Sequence, residues 1–169
     1  PSKDVILKEG DIISIDMGAC KDGYHGDAAR TYPVGKISDE AQKLIDVTKQ
    51  SFFEGVKHAT HGAKLGDVSA ALQEYVEKNG FSVVRDLVGH GIGKNMHEDP
   101  NVPNYGHKGK GLKLAAGMTI AVEPMVNAGD YGVVVLDDDW TVETEDGSLS
   151  AHYENTILIT KGACEILTL

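Results

Sequence analysis

The 169-residue chain has little aromatic material: three Phe, six Tyr and one Trp, 6% of the total. A core must come mainly from aliphatic side chains, and the 41% apolar fraction supplies enough of them for one domain at this length. No apolar run approaches the roughly 18 residues that span a bilayer, and no signal-peptide pattern is visible. No membrane partner is expected, and a cytoplasmic location is. The only cysteines, Cys20 and Cys164, stand far apart. They can form neither a zinc knuckle nor a thioredoxin-type pair, and buried free thiols are expected. Basic residues are also short: 16 Lys and Arg against 26 Asp and Glu leave a formal net charge of −10. That balance offers no electrostatic footprint for nucleic acid.

Four of the acids stand where free carboxylates are costly. Asp16 lies in Ile-Ser-Ile-Asp-Met-Gly and Asp27 in His-Gly-Asp-Ala-Ala-Arg. Asp is disfavoured in strands, and a carboxylate among Ile12, Ile13, Ile15 and Met17 needs a partner. Glu123 ends the apolar stretch Thr119-Ile120-Ala121-Val122 and precedes Pro124, which cannot donate to a ladder, so the strand should bend or stop there. Glu154 lies in Tyr-Glu-Asn-Thr, just before the apolar run Ile157 to Ile159. One imidazole completes the set, His90 in Gly-His-Gly-Ile-Gly. That tract lacks phosphate-loop spacing; its glycines are expected to let the backbone pass close to a metal centre at which His90 points. Four carboxylates and one imidazole suit two divalent cations bridged by water or hydroxide, which is hydrolase chemistry. Each acid taken alone has a blander reading, as an exposed residue on a half-buried strand. Recurrence in several β segments favours the metal reading.

The spacing predicts an α+β fold in one domain over residues 1–169. Asp22-Gly23 is a hairpin turn between Ile12–Ala19 and Tyr24–Val34. A two-residue turn there pairs Lys21 with Tyr24, Gly18 with Asp27 and Asp16 with Ala29. Asp16 and Asp27 then share a face as diagonal neighbours, with Cβ atoms about 5–8 Å apart. Two helices follow. Ser38 is the expected N-cap of the first, with the stripe Ala41, Leu44, Ile45, Thr48, Phe52 and Val56. Asp67 is the expected cap of the second, and Gly80 its stop. Strands are expected at 81–88, 118–125, 131–136, 140–144, 150–160 and 165–169. The acids around Asp137–Asp139 lack EF-hand spacing and suit a solvated hairpin tip. The Lys108, Lys110 and Lys113 cluster suits a solvated loop. His97 follows His90 in a polar loop and suggests a second inward-pointing imidazole. Spacing assigns no role to His25, His58, His61, His107 or His152.

With Ile15-Asp16, His25-Gly26-Asp27, Gly89-His90-Gly91-Ile92-Gly93, Met96-His97-Glu98, Val122-Glu123-Pro124-Met125 and Tyr153-Glu154-Asn155-Thr156 in this order, the chain resembles bacterial type-I methionine aminopeptidases along essentially its whole length. The resemblance implies the pita-bread fold, a curved antiparallel sheet backed by helices. It implies two divalent ions (Co, Mn, Fe or Zn), with Asp16 on one, His90 and Glu123 on the other, and Asp27 and Glu154 bridging. The implied reaction removes the initiator methionine from nascent chains through attack by a metal-bridging hydroxide. Glu123 would also shuttle the proton, and His97 would contact the substrate carbonyl. Met96, where the family often carries an aromatic residue, and Trp140 would line the methionine pocket. Family members begin upstream of Pro1 with a segment that completes that pocket. Weak or absent activity in this chain is therefore expected, with the chain either a monomer or associated with such a segment. A proline-specific aminopeptidase and a non-catalytic peptide-binding module of the same fold are the alternatives.

Overall fold

The computed structural model describes residues 3–168. Its first element is the hairpin of β1 (Ile12–Lys21) and β2 (Tyr24–Pro33), in the expected register: Lys21 pairs with Tyr24, Gly18 with Asp27 and Asp16 with Ala29. Asp22 (φ 53°) and Gly23 (φ 81°) both take positive φ, as a type I′ turn requires. The strands differ in burial. On β2, Asp27, Ala29 and Thr31 alternate inward, whereas β1 is exposed from Ser14 onward. Cys20 is accordingly exposed, not buried as expected, while Cys164 is partly buried against Val56.

Helix α1 (Asp39–Val56) starts where Ser38 accepts a hydrogen bond from the Ala41 amide. Its buried residues Ala41, Leu44, Val47, Thr48, Ser51, Phe52, Gly55 and Val56 recur every three or four positions, forming one face. Helix α2 (Leu65–Lys78) begins one turn earlier than expected: Lys64 is the N-cap, and Asp67 closes the turn from the third helical position by accepting from the Lys64 amide at 2.9 Å. The two helices pack on each other and on the sheet. Phe52, Leu44, Leu72, Val76, Ile120 and Ile157 are all but fully buried between them.

The rest is antiparallel and more interrupted than the apolar runs suggest. The stretch expected to extend from residue 81 to 88 holds only β3 (Ser82–Val83). Gly89–Gly91 forms β4 and Glu98–Val102 forms β5, so the glycine tract is itself a strand. The run 118–125 splits into β6 (Thr119–Val122) and β7 (Met125–Asn127), broken at Glu123-Pro124 as proline dictates. Val133–Val135 (β8) and Val142–Thr144 (β9) make a separate hairpin. The run 150–160 also splits, into β10 (Ser150–His152) and β11 (Asn155–Leu158), before the short β12 (Glu165–Ile166). Five strands lie in the order β12-β11-β6-β4-β5 and three in the order β10-β7-β3. Both interruptions thus fall where the chain leaves one sheet for the other, and each carries an acid, Glu123 or Glu154.

Candidate metal centre

Four local devices deliver the acids and the imidazole to one place. The tract Tyr153 to Thr156 is the pivot. Tyr153 turns into the core, its ring centroid 5.4 Å from Phe52, while the Arg30 guanidinium stacks 4.1 Å over its outer face. Glu154 faces the other way. Its amide donates to the Ala29 carbonyl at 2.9 Å, and Arg30 donates to its carbonyl and to Asn155 Oδ1 (2.7 Å). Thr156 Oγ1 accepts from the Asp27 amide at 2.9 Å and donates to the Asp27 carbonyl at 3.1 Å. Thr168 Oγ1 donates to the same carbonyl at 2.9 Å. The hairpin carrying Asp16 and Asp27 is therefore bolted to the strand break carrying Glu154 through backbone groups, the Thr156 and Thr168 hydroxyls and the Arg30 guanidinium, and none of these bonds occupies a carboxylate oxygen.

Glu123 is fixed by its own break, where the Asn104 amide donates to its carbonyl at 3.1 Å. His90 sits mid-β4 between Gly89 and Gly91. A Cβ at Gly89 would collide with the Ala121 carbonyl, and one at Gly91 with the Asp99 carbonyl. The glycines thus serve strand-to-strand approach in the five-stranded sheet, a different reason from the passage beside a metal expected of them. His90 Nδ1 donates to the Gly91 carbonyl at 2.9 Å, which turns Nε2 towards the acids.

His90 Nε2 lies 3.4 Å from Glu123 Oε1 and 4.0 Å from Asp27 Oδ2. Ligand atoms of Asp27, His90 and Glu154 all fall within 4.8 Å of one another, as do those of Glu123, His152 and Glu154. Asp16 is at the open rim and interacts through its carboxyl with Asp27. The five anticipated residues are brought together. A sixth, His152, joins them, although spacing alone gave it no role. The signal in the sequence was its two-residue offset from Glu154, which places both on one face of an extended segment. His97 packs with its ring centroid 4.4 Å from that of His90 and lines an open cleft of about 550 Å³ with His90, Asn95 and Glu98. Met96 lies against Gly18, where any Cβ would strike its methyl group. Trp140 is 86% exposed on the β8–β9 connection, and no contact of the cluster described here involves it.

The electrostatics favour a bound cation or a shared proton. Burial, then the carboxylates of Glu123, Asp27 and Asp16, push the Glu154 carboxyl up to about 9. Asp16 is raised as well, by burial first and by Asp27 and Glu123 next, against an offset from His152. Glu154 Oε1 has no hydrogen-bond partner among the described residues although Glu154 is only 1% exposed. Crowded, buried, oxygen-rich acids with a lone-pair imidazole form a donor set for a divalent metal. Residues 1–161 match metallopeptidase family M24. The chain belongs to this family. A methionine aminopeptidase of Clostridium acetobutylicum is 62% identical over 169 residues, all of this chain and 68% of that protein. Methionine aminopeptidase 1 of Bacillus subtilis is 55% identical over 163 residues, 96% of this chain and 66% of that protein. The crystal structure of the Thermotoga maritima methionine aminopeptidase superposes with a TM-score of 0.96 at 51% identity, covering 99% of this chain and 67% of that one. The chain thus has the α+β pita-bread architecture and spans about two thirds of the length of these relatives. No helix among the described residues is long and apolar enough to cross a membrane.

Proposed function

We propose that the chain carries the metal centre of a methionine aminopeptidase, a metallo-exopeptidase that releases the N-terminal methionine of peptides. The observation that carries this reading is the cluster of Asp27, His90, Glu123 and Glu154 with Asp16 at its exposed rim, and with an orphaned Glu154 oxygen, in a chain 62% identical to a methionine aminopeptidase. These five residues would hold two divalent ions, with Mn²⁺, Fe²⁺, Co²⁺ and Zn²⁺ all compatible with the donors. Bound there, such ions supply a lowered water pKa and a polarised carbonyl.

The remaining work falls to the chain. Asp27 and Glu154, locked through Thr156 and Ala29, would hold the ions together with Asp16, His90 and Glu123. Glu123, beside the His90 Nε2, moves the proton from water to the leaving amine. His97, on the cleft wall next to His90, donates to the carbonyl oxygen as charge develops on it. Met96 offers a soft apolar contact to a methionine side chain entering over Gly18, and Trp140 a further apolar wall. Residues 1–169 belong to one metallopeptidase catalytic domain, of which they are the C-terminal portion, with the N-terminus of a peptide or nascent chain as partner.

The test is release of free methionine from Met-Ala-Ser, measured beside release of the first residue from an x-Pro tripeptide, with Mn²⁺ or Co²⁺ present. Methionine release is expected to dominate, at whatever absolute rate. Preferential x-Pro hydrolysis would overturn the methionine assignment, and failure to bind divalent metal would overturn the enzyme assignment altogether.

A further inference from the structure

Asp27 turns its amide and carbonyl away from β1, as alternate residues of an antiparallel pair do. Both groups meet threonine hydroxyls rather than the backbone of a further strand. Thr156 Oγ1 serves the amide and the carbonyl, and Thr168 Oγ1 donates to that carbonyl at 2.9 Å. Thr168 Oγ1 also accepts from the Thr156 amide at 2.9 Å, so the hydroxyl both donates and accepts. Thr168 arrives there through the last strand. β12 runs antiparallel to β11 with Ile166 opposite Ile157, and the Leu167 amide donates to the Thr156 carbonyl at 2.9 Å. The next residue therefore stands at the seam between β2 and β11. Its methyl carbon packs over Gly26, 3.3 Å from where a Cβ would sit. Its carbonyl accepts at 3.4 Å from Arg30 Nη2, the nitrogen that also holds Asn155 Oδ1. A β-branched side chain gripped on both branches keeps one rotamer.

Thr168 differs in kind from the other groups at this seam. Thr156 belongs to the segment that carries Glu154, and Ala29 and Arg30 belong to the hairpin that carries Asp27. Thr168 belongs to neither, yet its one hydroxyl bonds both: the Asp27 carbonyl, and the amide two residues beyond Glu154. The bonds close a ring from Asp27 through Thr168 to Thr156 and back, which resists sliding of one segment along the other. The two carboxylates on these segments have ligand atoms within 4.8 Å of one another. We propose that Thr168 is a positioning residue of the metal centre, whose hydroxyl sets the separation of Asp27 and Glu154 and with it the affinity for a divalent ion. It acts through those two residues and touches neither ion nor substrate. The proposal rests on the metal reading above and gives the last strand, which holds no ligand, a part in the site. Hydrogen-bonding groups behind metal ligands are worth about 10–100-fold in affinity.

Calorimetric titration of the chelator-treated full chain with Co²⁺ gives the affinity, and the visible absorption of the bound ion reports its ligand geometry. Thr168→Val keeps the shape and removes the hydroxyl. It is expected to weaken Co²⁺ binding at least about tenfold and to shift the absorption bands. Thr168→Ser keeps the hydroxyl and is expected to match the unaltered chain in both. A purely structural role would lower the metal-free Tm of Thr168→Val but leave affinity and bands unchanged, and that result overturns the proposal. Weakened binding in both variants overturns it too, because the hydroxyl is then not the group that matters. If Thr168→Val does not fold, amide exchange in the unaltered chain decides. Saturating Zn²⁺ is expected to slow exchange at the Asp27 and Thr156 amides, since coupling between seam and site is reciprocal. Unchanged exchange at both would overturn the proposal and leave the metal centre standing. An unaltered chain that binds neither ion would overturn the metal reading and this proposal together.

Discussion

Removing the charge of Glu154 should stabilise the metal-free chain while destroying its metal site. In the folded chain this carboxyl is held at about 9, against 4.5 for the ordinary group. The folded state therefore binds the proton more tightly than the unfolded state does. The resulting stabilisation is complete below pH 4.5 and is lost as pH rises towards 9. Between pH 5 and 8 the folded group stays protonated while the unfolded one ionises. At about 1.4 kcal/mol per pH unit, the metal-free chain loses about 4 kcal/mol over that range. Asp16, raised for related reasons, works in the same direction above its ordinary value of 3.8. The depressed carboxyls of Asp67, Asp138 and Asp146 have the opposite sign and act in more acid solution. Glu154→Gln removes the ionisation that favours the unfolded chain, a gain of about 3 kcal/mol at pH 7, on the order of 10 °C in Tm at this size. Urea unfolding of the chelator-treated chain and variant at pH 5, 6, 7 and 8 measures both quantities. A variant no more stable than the unaltered chain at pH 7, with the same pH slope, would refute the reasoning. With saturating Zn²⁺ the order reverses, because only the ionised carboxylate is a ligand.

Asp27→Asn should abolish the rise in Tm that divalent metal gives the unaltered chain, about 2.7 kcal/mol at a metal concentration of 100 times Kd; elemental analysis of the dialysed protein checks the loss. Gly91→Ala should cost roughly 1–3 kcal/mol, because the new methyl strikes the Asp99 carbonyl and prises β4 from β5. It should also displace His90, so Zn²⁺ affinity falls with stability. His97→Ala should lower kcat/KM for Met-Ala-Ser about 100-fold with metal content unchanged. Equal activity would remove His97 from the reaction.

Much of the centre was legible one residue at a time. Asp16, Asp27, Glu123 and Glu154 each break the local pattern of a strand, and a buried carboxylate without a partner is too costly to be incidental. The hairpin register was legible because a two-residue turn of Asp22-Gly23 admits only one pairing, and side chains alternate with period two. The helices were legible from their apolar period, except that Asp67 could be read as the cap when it closes the cap from inside. What escaped were interactions between distant segments. Arg30 and Thr156 read as ordinary polar residues, yet they bolt β2 to the β10–β11 break across more than 120 positions of chain. The long runs 118–125 and 150–160 read as single strands because apolar continuity says nothing of a change of sheet.

The sequence alone determined the candidate acids and imidazole, their order, and the sharing of one hairpin face by Asp16 and Asp27, since these follow from residue type and short-range geometry. Only the tertiary structure decided that Glu123 and Glu154 stand at two sheet-crossing breaks that meet, and that His152 arrives with them. Those positions depend on how Tyr153 fills the core between α1 and Arg30 and how Thr31 pins β10. Packing of that kind is a property of the assembled layers, and no local pattern carries it.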